Sequence, residues 1–184
     1  MFFNRCAAAT LLAFFLGAHL SGASSGIWLD VPFVRQPKNG CGAASIIMLL
    51  QYWQGQGIAL DKEIPNPEKV QNLLYAEKSK GIWGSDVEQY LRSEGFQTFV
   101  FAGQWQDLRQ HLSHGRPLMV CLGRAAPGSN RHYVVVTGID EQRGLVLVND
   151  PQRRKLMKLH QTDFEKEWNA AGRWTLLALP EKER

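Results

Sequence analysis

The chain has 184 residues, of which 45% are hydrophobic and 21% are charged, and its formal net charge is +4. This length and composition predict one globular domain with a full hydrophobic core. Lysine and arginine residues are scattered apart from the run 153–155, which is typical of a solvated loop, so we expect no nucleic-acid partner.

Residues 1–23 have the pattern of a secretory signal peptide. Arg5 supplies a short basic start, residues 6–20 are largely apolar, and small residues ending in Ala23 occupy the −3 and −1 positions of a cleavage site. The apolar run is shorter than the ~20 residues that a membrane-spanning helix needs. We therefore expect cleavage after Ala23, a mature domain over residues 24–184 with no stable membrane span, and export to the bacterial periplasm or the extracellular space.

The first half of the mature chain is predicted to be mainly helical. An extended lead-in comes first, and Pro32 confines it to an edge or irregular strand. Apolar residues at helical spacing, with glycine and proline at the ends, then predict four helices and one strand. The helices are expected over residues 41–53, 68–77, 85–94 and 105–113, and the strand over residues 96–101. Ser85 and Glu88 have the spacing of a capping box.

The second half is predicted to consist mainly of strands. These are expected over residues 118–122, 132–139, 145–148, 155–159 and 173–179. A turn between the second and third of them indicates an antiparallel pair. Thr162 and Glu165 form a second possible capping box, at the start of a short helix ending at Trp168. Helices followed by strands predict an α+β domain whose helical N-terminal half packs on a C-terminal antiparallel β-sheet.

Cys41 has the surroundings of a cysteine nucleophile. A turn containing Pro37 and Gly40 leads into the predicted helix, so Cys41 lies where unpaired backbone N–H groups and the helix dipole stabilise an anion. The small residues that follow keep the first turn open to a substrate carbonyl. Gln36, five residues upstream, is placed to donate its amide to an oxyanion. The alternative is a buried helix that carries an inert cysteine.

His132 is the candidate general base. It begins a strongly apolar predicted strand after the loop 123–131, which we expect to border a cleft. Asp150 follows the next strand and is expected at the same end of the sheet, where a carboxylate can orient the imidazole. Asn149 is the competing orienting residue, and because side chains alternate along a strand, only one of the two can face His132. A surface histidine and an ordinary Asn-Asp-Pro turn are the simpler alternatives.

The remaining cysteine and histidine residues predict neither a disulfide nor a metal site. Removal of the signal peptide leaves Cys41 and Cys121, and in an exported protein such a pair invites a disulfide. Cys121 lies in a predicted buried strand, however, so we expect two free thiols. His111 and His114 share a helix, but no carboxylate or cysteine accompanies them in a metal-binding pattern. We therefore expect no metal ion and no cofactor.

The ordered set of Gln36, Cys41-Gly42-Ala43-Ala44, His132-Tyr133-Val134-Val135-Val136 and Asp150-Pro151 carries a family resemblance. It resembles the papain-like cysteine peptidases that process bacteriocin leaders after a double glycine, family 39 of the cysteine class. It is most similar to their free-standing exported relatives, which lack the transporter domains. The similarity spans about residues 31–179.

The resemblance implies a papain-like fold and a peptide or protein substrate. It implies Cys41 as nucleophile, His132 as base and Asp150 as orienting residue. Gln36 and the backbone N–H of Cys41 would form the oxyanion hole, and cleavage would follow small residues such as double glycine. Gly40 departs from the family, whose members often carry an acidic or polar residue before the cysteine, and this departure bears on substrate preference.

Two other functions remain open. Peptidoglycan endopeptidases of the NlpC type use the same order of cysteine, histidine and polar residue. They usually carry a serine after the cysteine and a glycine two residues after the histidine, where this chain has Gly42 and Val134. A non-catalytic binding or chaperone module on a papain-like fold is disfavoured, because every member of the catalytic set is present.

Overall fold

The computed structural model describes residues 26–123 and 131–181, and these residues form five α-helices and seven β-strands. In chain order they are β1 (Ile27–Trp28), α1 (Cys41–Gly55), α2 (Pro67–Leu74), α3 (Gly84–Ser93), β2 (Phe96–Ala102), α4 (Trp105–Ser113), β3 (Leu118–Leu122), β4 (His132–Asp140), β5 (Leu145–Asp150), β6 (Arg154–His160), α5 (Gln161–Ala170) and β7 (Trp174–Pro180). The expected signal peptide lies outside the described residues. None of the helices in the described ranges is long and apolar enough to span a bilayer.

The strands form one antiparallel sheet. Its order is β2-β7-β3-β4-β5-β6, and β1 pairs with the far end of β4. The glycine at position 138 is required for this last pairing, because a Cβ atom there would lie 2.4 Å from the carbonyl oxygen of Ile27. Since β7 lies between β2 and β3, the sheet joins strands from both halves of the chain. The predicted α+β class with an antiparallel sheet is confirmed.

Both faces of the sheet are covered. All five residues of β3 are buried, and they alternate between two apolar clusters. Met119 and Cys121 pack towards α1, α2 and α3, whereas Leu118, Val120 and Leu122 pack towards α4 and α5. The helical half therefore packs on the sheet as predicted, and α4 and α5 add a layer on the opposite face. Strands buried on both faces lack the alternation of apolar and polar residues that would have revealed this layer.

Both predicted capping boxes are wrong. Helix α3 begins one residue before Ser85, whose hydroxyl faces the adjacent Asp86 carboxylate and caps no backbone N–H. Helix α5 begins one residue before Thr162, directly from the end of β6. A capping box does occur at α4, where the Gln104 backbone N–H donates to Asp107 Oδ2 at 2.7 Å. Glutamine is an uncommon N-cap residue, so the sequence pattern does not reveal this cap.

Helix α2 is shorter than predicted. Asn66 caps it by accepting a hydrogen bond from the Lys69 backbone N–H at 2.9 Å, and a proline occupies its first turn. It ends at Leu74, because Ala76 then pairs with Gly81 in an antiparallel bridge. The Ala76 backbone N–H donates to the Gly81 carbonyl oxygen, with a nitrogen-to-oxygen distance of 2.8 Å. The apolar spacing that predicted a helix to residue 77 continues into this turn. The bridge directs the chain along one side of Cys41.

Candidate active site

Cys41 is the first residue of α1, the most deeply buried helix of the fold. The residues from Gly42 to Leu50 are buried in succession, so packing on all sides holds the helix in place. The N-cap residue, Gly40, makes no side-chain cap. The backbone N–H groups of the first turn are therefore not used by a capping side chain, and the half-buried Cys41 lies beside them.

The turn before Cys41 explains the glycine at position 40. The Gly40 backbone N–H donates to the carbonyl oxygen of Pro37 at 2.9 Å. A Cβ atom on residue 40 would lie 2.5 Å from the Pro37 Cγ atom and 2.7 Å from its Cδ atom. Asn39 adopts a positive φ of 58° within the same turn. Residue 40 is thus glycine because the Pro37 ring occupies the space that a side chain at this position would need.

His132 and Asp150 form a hydrogen-bonded pair beside Cys41. His132 begins β4, where it is registered with Leu122 of β3, and Asp150 ends β5. The Nε2 atom of His132 is 2.8 Å from the Oδ1 atom of Asp150. The backbone N–H of Gln152 also donates to Oδ1, at 2.9 Å. Because Nε2 is engaged with Asp150, Nδ1 is the imidazole nitrogen available to Cys41.

The electrostatics of the pair favour a protonated imidazole. Burial lowers the pKa of His132, but hydrogen bonds to Asp150 and Cys41 outweigh this effect and raise the pKa from 6.5 to about 9. Burial raises the pKa of Asp150, but the hydrogen bond and charge of His132 outweigh it and lower the pKa below its ordinary value of 3.8. The two shifts agree in direction, and an imidazolium–carboxylate pair is the favoured state near neutral pH.

Asn149 points away from His132. Its side chain is fully buried, and its Nδ2 atom donates to the carbonyl oxygen of Val31 at 3.0 Å. Its Oδ1 atom accepts from the Leu156 backbone N–H, also at 3.0 Å. Asn149 therefore ties the lead-in segment to β6, and of the two candidate orienting residues the structure brings only Asp150 to the histidine.

Gln36 lies in the same cleft. Its backbone N–H donates to the carbonyl oxygen of Pro151 at 3.0 Å, which fixes it relative to the turn that follows Asp150. Its side chain lines the cleft together with Cys41 and His132. The Oε1 atom is buried and has no hydrogen-bond partner among the described residues. The structure thus brings all four predicted site residues together.

The cleft has a volume of about 680 Å³ and aromatic walls that the sequence analysis did not predict. Trp83 lines it from the segment before α3, while Tyr133 and Trp174 line it from the sheet. The Tyr133 and Trp174 rings meet edge to face with centroids 5.2 Å apart. A Cβ atom on Gly84 would lie 3.1 Å from the Trp174 indole, so the two walls approach closely there. No local sequence signal distinguishes these aromatic residues from core residues.

Gln71 is a second position that the sequence did not indicate. It lies in the middle of α2, and its Nε2 atom donates to the carbonyl oxygen of Asn39 at 3.2 Å. This bond holds the turn that precedes Cys41. The side chain is only 7% exposed, and its Oε1 atom has no partner among the described residues. Because the contact crosses 32 positions of the chain, no pattern local to α2 could reveal it.

The other predicted candidates lie elsewhere or are held differently. Cys41 and Cys121 are both free within the described ranges. Burial raises the pKa of the Cys121 thiol to about 12. The His111 ring packs near Phe101 with centroids 6.3 Å apart, and the described residues contain no cluster of metal-binding side chains. Of the loop expected to border the cleft, residues 124–130 lie outside the described residues, and Arg131 lines the cleft.

Comparisons with known proteins find matches to both the sequence and the fold. The model of the Peptidase_C39 like family matches residues 28–176. The fold is similar to that of a C39-like peptidase from Bacillus anthracis, with 17% identity and a TM-score of 0.66, over 86% of this chain and 100% of that chain. It is also similar to the peptidase domain of Streptococcus ComA, a bi-functional ABC transporter involved in quorum sensing, with 17% identity and a TM-score of 0.64, over 82% of this chain and 99% of that chain. No curated protein matches the chain.

Proposed function

Because the chain belongs to the Peptidase_C39 like family and is a cysteine peptidase, we propose that it cleaves peptide bonds with Cys41 as nucleophile, His132 as general base and Asp150 as orienting residue. The observation that carries this assignment is the 2.8 Å contact between His132 Nε2 and Asp150 Oδ1, with Cys41 in the same cleft. The contact holds the imidazole so that its second nitrogen serves the thiol.

The chemistry follows the usual course of a cysteine nucleophile. In the reactive ion pair the proton of the Cys41 thiol resides on Nδ1 of His132, and the Cys41 thiolate attacks the carbonyl carbon of the scissile bond. The imidazolium then donates the proton to the departing amine, which leaves a thioester on Cys41. Water, activated by the neutral imidazole, hydrolyses the thioester and releases the second product.

Gln36 and the backbone N–H of Cys41 form the proposed oxyanion hole. The helix start offers an N–H group unclaimed by a side-chain cap, and Gln36 is anchored through its own backbone to Pro151. Donors fixed in this way stabilise the charge that develops on the substrate oxygen without reorganising during the reaction.

The proposed cleavage site follows small residues, with Gly-Gly or Gly-Ala preferred, as the family resemblance implies. The rings of Trp83, Tyr133 and Trp174 around the cleft support this preference. Bulky side chains just before the scissile bond would meet these rings, so specificity would arise by exclusion.

The proposed site of action is outside the cytoplasm. This rests on the basic start, the apolar run and the small residues of the segment 1–23. If the enzyme is exported, protein recovered from the periplasm or medium of an expressing bacterium should begin at Ser24. Recovery from the cytoplasm with residues 1–23 intact would overturn the proposal.

A peptide library with products identified by mass spectrometry tests the assignment. Replacing the nucleophile, Cys41→Ala, should lower turnover on the order of 10⁶-fold. Replacing one oxyanion donor, Gln36→Ala, should cost roughly 10²- to 10³-fold. The surface change Gln97→Ala is a matched control, because that glutamine is exposed on β2 and does not line the cleft.

Three outcomes of the library assay would count against parts of the proposal. Full activity of Cys41→Ala would refute the nucleophile. Cleavage mainly after large apolar or basic residues would refute the preference for small residues alone. Release of fragments from peptidoglycan without cleavage of any library peptide would favour the NlpC-type alternative. Enzymes of the NlpC type usually carry a serine at the position of Gly42. A serine would be crowded here, because a Cβ atom on residue 42 would lie 3.2 Å from the Ile82 Cβ atom.

A further inference from the structure

The cleft around Cys41 carries positive charge and no carboxylate. Among the described residues that line it, the charged or titratable basic side chains are Lys80, Arg131 and His132, and neither Asp nor Glu takes part. Lys80 lies in the segment between α2 and α3, whereas Arg131 precedes β4. The two permanent cations therefore come from the helical half and from the sheet half of the fold.

Both cations are available to a ligand. Lys80 and Arg131 are exposed, and neither forms an ion pair within residues 26–123 and 131–181. By contrast, Arg153, which lies close to the catalytic pair, is held by Asp150 with a distance of 3.7 Å. Unpaired cations beside a peptide-binding cleft leave charge to be matched by the substrate.

The charge of Arg131 reaches the interior of the cleft. Burial raises the pKa values of Cys121 and Tyr133, and the Arg131 guanidinium opposes the shift at both groups. Asp86, in the first turn of α3, is the carboxylate whose charge also acts on Tyr133, but Asp86 does not line the cleft. No acidic lining residue among those described neutralises the cations.

We propose that this peptidase selects peptides with glutamate or aspartate side chains close to the scissile bond, and that Lys80 and Arg131 are the specificity-determining residues. The proposal rests on the proposed function, because it names the substrate class of the same cleft. A substrate carboxylate gains charge-assisted hydrogen bonds from these side chains. A lysine in its place meets like charge and is rejected.

Paired peptides that differ only in charge test the proposal. Each peptide carries the same Gly-Gly or Gly-Ala junction, with glutamate, glutamine or lysine at one flanking position. At the preferred positions, kcat/KM should rank glutamate above glutamine above lysine, with about a threefold to fivefold step for each exposed cation engaged. The preference should shrink in about 0.5 M salt, because charges then interact over less than about 5 Å.

Charge-changing variants locate the effect. The ratio of glutamate to glutamine cleavage should fall in Lys80→Gln and in Arg131→Gln, and the double change to glutamate should favour lysine peptides. Lys166→Gln is the matched control, because Lys166 is an exposed cation on α5 that does not line the cleft. This control should keep the wild-type ratio.

Binding of uncleaved peptides to the Cys41→Ala variant, measured by fluorescence anisotropy, separates the two proposals. Tighter binding of glutamate peptides that depends on Lys80 and Arg131 supports the charge selection, even if no peptide is cleaved by the wild type and the proposed function falls. Equal cleavage and equal binding of glutamate and glutamine peptides overturns the charge selection while the peptidase assignment stands. An unchanged preference in the double variant overturns it as well.

Discussion

The substitution Asp150→Asn probes the charge of the orienting residue with little change in shape. The pKa of His132 is raised from 6.5 to about 9 despite burial that lowers it, and Asp150 is the largest cause of the increase. The difference corresponds to about 3 kcal/mol in favour of the imidazolium, at about 1.4 kcal/mol per pKa step. A neutral asparagine removes the largest of the contributions that raise the pKa, while burial and the hydrogen bond to Cys41 remain.

We therefore expect the pKa of His132 in Asp150→Asn to fall from about 9 towards its ordinary value of 6.5. Near pH 7 the imidazolium is then less populated than in the unaltered protein. If up to about 3 kcal/mol of transition-state stabilisation is lost, kcat/KM falls by up to about a hundredfold. NMR titration of the His132 ring protons measures the pKa, and peptide hydrolysis measures the rate.

Asp140→Asn is the matched control for this experiment. Asp140 ends β4 and pairs with the exposed Arg143 at 3.1 Å, so the control removes the same charge away from His132. It should leave both the pKa and the rate near wild type. An unchanged pKa of His132 in folded Asp150→Asn would contradict the reasoning. A larger loss of activity in folded Asn149→Ala than in folded Asp150→Ala would show that the wrong orienting residue has been assigned.

Three further experiments test the surroundings of the nucleophile. Gly40→Ala should lower activity at least tenfold and the free energy of unfolding by about 1–3 kcal/mol, because the new Cβ atom meets the Pro37 ring. The double variant with Pro37→Ala should recover part of the activity and part of the stability. Losses that simply add in the double variant would show that the Pro37 ring is not the cause. Iodoacetamide should modify Cys41 in the folded protein and spare Cys121, which is 2% exposed and has a pKa raised to about 12. Mass spectrometry locates the modified residue, and modification of Cys121 but not Cys41 would contradict this prediction. Because the pKa of His132 in the folded chain exceeds its ordinary value of 6.5, its contribution to stability is complete below pH 6.5 and is lost as the pH rises through about 9. The free energy of unfolding in urea should therefore fall between these pH values by up to about 3 kcal/mol, and less in Asp150→Asn; an equal fall in both proteins would exclude His132 as its source.

The elements that carry the candidate site could be predicted because each depends on a local pattern. A turn followed by an unbroken apolar run places Cys41 at a helix start. Apolar strands joined by a short turn place His132 and Asp150 at the same end of the sheet, because the second strand of an antiparallel pair ends beside the start of the first. The choice between Asp150 and Asn149 could not be made from the sequence, because it depends on the hydrogen bonds of the Asn149 side chain to the distant backbone groups of Val31 and Leu156.

The features that escaped prediction are contacts between distant segments. Trp174 lies in an apolar strand that the sequence predicted correctly, but only the position of β7 in the sheet brings its ring to the cleft. Gln71 reaches the turn before Cys41 across the interface between α2 and α1. The false capping boxes show the opposite error, because a local pattern at Ser85 was overridden by a helix that starts at Gly84.

The position of β7 has a consequence for when the enzyme becomes active during folding. β7 is the last of the described strands, yet it is the neighbour that joins β2 to the rest of the sheet. Until residues 174–180 join the sheet, β2 has no paired neighbour and the cleft lacks the Trp174 ring. A chain in which β7 is not yet in place is therefore aggregation-prone and has an incomplete cleft. We therefore expect proteolytic activity only after β7 has joined the sheet.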